Sequence, residues 1–130
     1  MSEPIVFISH FRVRTDKLDD FRRSTDAVTR SLEMEKPRTL VFLSYVDAEG
    51  TNVSFVHAFA DAESMDLHVE GAEERSRSVY DFLEPDGWEI YGTPSAAALG
   101  MLRGASEASG VSLRVQPGYL DGFLRITPSR

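Results

Sequence analysis

Apolar positions alternate along residues 5–13. Ile5, Phe7, Phe11 and Val13 share one face of a strand, while Val6, Ile8, His10 and Arg12 share the other. The period then changes. Leu18, Phe21, Thr25, Val28 and Leu32 recur at spacings of three and four, which makes one apolar stripe on a helix over 15–36. Thr15 reads as its N-cap and Pro37 as its stop, because the residue before a proline avoids helical geometry. Two further alternating runs, 39–47 and 51–60, predict a hairpin around Ala48-Glu49-Gly50. A second helical stretch, 62–83, is capped by Asp61 and broken near Gly71. Pro85-Asp86-Gly87 reads as a turn, and 88–91 as a fourth strand.

This order, βαββαβ, is the split arrangement of a ferredoxin-like antiparallel sheet with helices on one face, an α+β class. Beyond it lie an Ala-rich helix over 94–103, a small polar loop over 104–110 and a strand carrying Val111, Leu113 and Val115. Gly118 and Gly122 bracket a turn, and 123–126 reads as one more short strand. The expected organisation is a domain over 1–92 with a C-terminal extension, 93–130, packed on the same domain or on a partner subunit.

The strands are apolar on both faces, yet the helices can cover only one. A large bare apolar face is rare on a soluble monomer, and closed two-fold association is its commonest remedy. A homodimer is therefore expected, with a pocket between sheet and helices or between sheets.

Composition narrows the partners. A chain of 130 residues suits one domain with a single core. Its net charge of −7 disfavours nucleic acid, which needs a basic stripe, and the cluster Arg12, Arg14, Lys17, Arg22 and Arg23 reads as a solvated helix start. The expected ligand is small, and neutral or weakly charged. No apolar run approaches the ~20 residues of a membrane span, and the opening Met1-Ser2-Glu3-Pro4 lacks the basic region of a signal peptide. There is no cysteine, so disulfides and thiolate metal sites are excluded, which fits a cytoplasmic protein.

The candidate chemistry rests on three histidines. His10 and His57 lie on strands and His68 on a helix; if their faces converge, they line one cavity. Histidine titrates near neutrality and can act as a base. Phe59, Tyr45, Tyr80 and Trp88 are candidates to contact a flat ligand, with core packing as their alternative role. No metal site is expected, because the histidines lack ligand spacing such as HExxH. Neither a glycine-rich phosphate loop nor a nucleophile elbow is present.

The run Phe7-Ile8-Ser9-His10-Phe11-Arg12-Val13-Arg14 before a helix is similar to the start of antibiotic-biosynthesis-monooxygenase-like domains. Ser54-Phe55-Val56-His57-Ala58-Phe59-Ala60-Asp61-Ala62-Glu63-Ser64 resembles their third strand entering the second helix, where His68 resembles a histidine often found there. The resemblance covers 5–91. It implies a dimeric α+β barrel and, for the enzymatic members, cofactor-independent oxidation of small aromatic or polycyclic substrates by dioxygen. It thus points to His68 as a catalytic residue and to no cofactor, and His57, a candidate base by the chemistry of its own side chain, is the second expected catalytic residue. Non-catalytic, stress-response and haem-degrading proteins share the fold, so a small-ligand-binding barrel without catalysis is the alternative. Enzymatic members often line the pocket with an asparagine and a tryptophan; Asn52 and Trp88 do not stand clearly at the matching places.

Overall fold

The computed structural model describes residues 3–125. Its elements are β1 (Ile5–Val13), α1 (Leu18–Glu35), β2 (Thr39–Val46), β3 (Asn52–Phe59), α2 (Ala62–Val69), α3 (Ala72–Val79), β4 (Leu83–Tyr91), α4 (Ala96–Ser109) and β5 (Leu113–Gln116). One sheet runs in the order β2-β3-β1-β4-β5. The first four strands pair antiparallel in the expected ferredoxin-like order. β5 lies parallel to β4, a pairing that needs a crossover, and α4 supplies it.

The register fixes the faces. Phe7 pairs with His57 and with Ile90, and Ser9 with Phe55 and Trp88, so these side chains look toward the helices. Two apolar clusters form on this face. One joins Ile5, Phe59, Met65, Trp88 and Ile90 to Ala98 and Leu102 of α4. The other joins Phe11, Phe21, Val53, Phe55 and Leu83. α4 is therefore part of the core of this same chain.

Five local expectations need correction. The second helical stretch ends at Val79 and not at 83, for Leu83 already opens β4. α1 begins at Leu18 and not at Thr15: Asp16 takes a φ of 60°, which no helix accommodates, and Lys17 precedes the helix without a side-chain cap. Pro85-Asp86-Gly87 is not a turn but part of β4. The pairing with β1 shifts between His10 and Phe11, leaving Asp86 as a bulge, and Gly87 takes the φ of 130° that follows it. Proline is tolerated there because β5 pairs with β4 only from Trp88 onward. Residues 104–109 belong to α4 and not to a loop; Ser95 Oγ accepts from the Ala98 amide at its start, and buried Ala98 and Leu102 anchor it. Residues 123–125 form no strand, and Ile126 of that expected strand lies outside the described residues.

The sheet face away from the helices is only half apolar. Val6, Ile8, Val41, Leu43 and Val56 are neighbours on β1, β2 and β3, whereas Arg12, Glu84, Glu89 and Arg114 occupy the β1-β4-β5 side. Among the described residues, no helix is long and apolar enough to cross a membrane.

Candidate functional site

A cleft of about 570 Å³ lies between the helix-side face of the sheet and the helices. That is ample for a small polycyclic molecule. Its floor is Phe7, Phe11, Phe42, Phe55, His57 and Trp88. α1 contributes Phe21, Val28 and Leu32; α3 contributes Arg75 and Val79, with Tyr80 just past its end; α4 contributes Met101, Leu102 and Ala105.

Two histidines meet here. His57 enters from β3 as the buried partner of Phe7 across the β1–β3 ladder. Its Nδ1–H donates to the Phe7 carbonyl oxygen at 3.0 Å, since a carbonyl can only accept. That bond assigns the proton to Nδ1 and leaves the Nε2 lone pair bare. His68 arrives from α2, whose start is fixed by Asp61: its carboxylate accepts from the Ser64 amide at 2.8 Å. His68 Nδ1 meets Thr39 Oγ1 at 2.7 Å. The two imidazole rings lie 5.1 Å apart, nearly perpendicular, and Phe42 stands edge-on to His57 at 5.2 Å. Among the described residues neither Nε2 finds a hydrogen-bond partner, yet no buried side-chain nitrogen or oxygen there lacks one. Both Nε2 atoms therefore reach the space of the cleft that the two residues line.

Burial in this apolar wall is the main force on their titration. It lowers His57 to about 4, against the partial support of the Phe7 carbonyl. It lowers His68 to about 3, helped by the charges of His57, Arg75 and Lys36. Both rings are neutral at physiological pH, and His57 Nε2 offers its lone pair without first losing a proton. Ser9 is the remaining polar group on the floor.

The other expected site residues are divided by strand parity and depth. Trp88 and Tyr80 line the cleft. Phe59 does not line it; it is fully buried beneath, with its ring 5.2 Å from that of His68. His10 and Tyr45 are corrections, for they lie on the opposite face of the sheet, where Ser54 pairs with both. There His10 Nε2–H donates to Glu89 Oε2 at 2.5 Å, Nδ1 meets Ser54 Oγ at 2.9 Å, and Tyr91 donates to Glu89 Oε1 at 2.5 Å. These bonds, that from His10 first, hold the Glu89 carboxyl below its ordinary range. The expected convergence of three histidines is thus a convergence of two. Asn52 is tied to Asp47 at the hairpin, 3.0 Å from its carboxylate, while Trp88 does reach the cleft. No group of three or more His, Asp or Glu side chains among the described residues is placed to hold a metal ion.

Sequence reasoning missed Arg75, Thr39 and the α4 wall. Arg75 sits in a run, Glu73-Glu74-Arg75-Ser76-Arg77, that reads as a solvated helix face. Only the bend at Gly71, with a φ of 78°, turns it back toward His68.

No protein-family model matches the chain, and no curated protein matches it. Solved structures do. MupZ from Pseudomonas fluorescens matches with a TM-score of 0.70 at 14% identity, covering 95% of this chain and 97% of its own. SnoaB, a cofactor-independent oxygenase from Streptomyces nogalater, matches with a TM-score of 0.57 at 10% identity over 73% of this chain and 97% of its own. A candidate antibiotic biosynthesis monooxygenase from Nitrosomonas europaea matches with a TM-score of 0.56 at 23% identity over 72% and 92%. MupZ thus takes in most of the α4–β5 extension. The fold of this chain is that of the antibiotic-biosynthesis-monooxygenase-like proteins, enlarged by an edge strand and by a helix that walls the cleft.

Proposed function

We propose that this chain is a cofactor-independent monooxygenase whose cleft binds a small aromatic or polycyclic substrate. The observation that carries the reading is the His57–Phe7 bond, which leaves a bare Nε2 lone pair in an apolar cleft. A base lowered to about 4 is weak, so the substrate must be acidic at carbon, as the methylene of an anthrone is. His57 Nε2 takes one proton from that methylene. The carbanion adds to dioxygen, and return of the proton gives a hydroperoxide. Loss of water leaves a carbonyl: CH2 and O2 become C=O and H2O. Dioxygen is the oxidant, and the substrate itself supplies the electrons. His68 is assigned the tautomer in which Nδ1 accepts from the Thr39 hydroxyl and Nε2 carries the proton, so that Nε2–H donates to the oxygen on which charge develops. The fold shared with SnoaB supports the same reading.

We further infer that two copies associate through Val6, Ile8, Val41, Leu43 and Val56, because this apolar patch is otherwise left to water. The test is oxygen uptake with a panel of anthrones and related quinone precursors, followed by mass spectrometry with isotopically labelled dioxygen. One labelled oxygen atom in a quinone product is expected. Ligand binding with no uptake across the panel would make the chain a binding module.

A further inference from the structure

We propose that Arg75 makes the cleft selective for aromatic ligands that carry a carboxylate. This rests on the reading of the cleft as a substrate site, and it revises the expectation of a neutral or weakly charged ligand.

Arg75 differs from the other arginines near the fold's interior. Arg14 and Arg38 are also half-buried, and each meets a carboxylate, Glu84 at 2.8 Å and Asp61 at 3.3 Å. Arg75 has no carboxylate within ion-pair distance among the described residues. It donates instead to two neutral carbonyls, from Nη2 to His68 at 2.6 Å and from Nη1 to Glu70 at 2.9 Å. Glu73, on the same wall, is engaged by Arg77 at 3.4 Å. Glu35 acts on Arg75 only from a distance.

A guanidinium keeps its charge at any ordinary pH, and it has more N–H groups than these two bonds use. The neighbouring imidazoles are neutral, so nothing in direct contact balances the charge. Charges in an apolar wall interact more strongly than in water. A carboxylate fits the forked donor geometry, while Phe7, Phe42 and Trp88 suit an aromatic body. Such an anion would also oppose the repulsion that Arg75 exerts on both histidines.

The competing role is purely structural: Arg75 ties the end of α2 to α3. Calorimetric titration with 2-naphthoate and with the neutral 2-naphthamide, on the wild-type chain and on Arg75→Met, separates the two. The wild type should bind the acid roughly tenfold more tightly than the amide, the gain expected of a charge-assisted hydrogen bond. Arg75→Met should lose that preference while still binding the amide. Arg75→Lys, which keeps the charge but not the fork, should retain part of it. Equal wild-type binding of acid and amide overturns the carboxylate selectivity and leaves the cleft reading standing. Loss of both ligands in Arg75→Met overturns it in favour of the structural role. Failure of the wild type to bind either ligand overturns the cleft reading and this inference together.

Discussion

His57 Nδ1 lies 3.0 Å from the carbonyl oxygen of Phe7, its direct partner across the β1–β3 ladder. The strand pairing that places the ring also chooses its tautomer. A backbone carbonyl is held by the sheet, so the orientation of the imidazole is set before any ligand arrives, and no reorganisation is needed to present Nε2.

Replacing His57 with Asn tests this arrangement directly. An asparagine amide can keep a donor near the place of Nδ1 while nothing stands in for Nε2. Oxygen uptake should fall by about 10²–10⁴-fold, the range for a lost general base. Circular dichroism and thermal midpoint should change little. Unaltered turnover in a folded His57→Asn protein would remove His57 from the role of base.

The two buried imidazoles also predict how stability depends on acid. Their folded values, about 4 and about 3, lie below the ordinary 6.5. Between those limits the unfolded chain takes up protons that the folded chain refuses, so stability rises with pH there. The contribution is complete above about 6.5 and is lost as pH falls toward the folded values. His57 alone accounts for about 3 kcal/mol. Asp61 and Glu89 are also lowered, but from 3.8 and 4.5, so they act at lower pH. Urea titrations from pH 7 to 5 therefore isolate the histidines, and a His57→Asn, His68→Asn double variant should flatten the slope.

Local patterns made much of this fold legible. The Leu18–Leu32 stripe, the hairpin and the break at Gly71 are short-range signals, and α1, β2–β3 and the α2–α3 bend follow them. Pro85-Asp86-Gly87 carries the same residues whether it makes a turn or a bulge; the partner strand decides, and β1 is far away in sequence. The site was half readable for the same reason. His10 and His57 both sit on apolar strands, but the register puts Phe7, and not His10, beside His57. Arg75 gave no signal, because its exposure depends on where α3 lands after Gly71.

Association through the outer sheet face predicts a clear response to one charge. Leu43 is 47% exposed and pairs with Val56 at the middle of the apolar patch. Sedimentation of the wild type should give twice the mass of one chain at micromolar concentration. Leu43→Glu should sediment as one chain, with stability within about 0.5 kcal/mol because the position is a surface one in the single subunit. A wild type of one-chain mass would rule out this assembly.

The extension supplies the last prediction, because α4 is both core and wall. Leu102 is 3% exposed and packs with Trp88 and Phe59, so Leu102→Ala should cost about 2–5 kcal/mol through the cavity it leaves. Met101, one residue earlier, lines the same cleft yet is 43% exposed, so it can be enlarged without overpacking the interior. Met101→Trp should narrow the cleft near the sheet residues that would hold a ring. For polycyclic substrates KM should rise about tenfold, one decade for a lost 1.4 kcal/mol of contact, while single-ring compounds are affected less. The thermal midpoint should hold. Equal effects on large and small substrates would mean that α4 supports the fold without shaping the space beneath it.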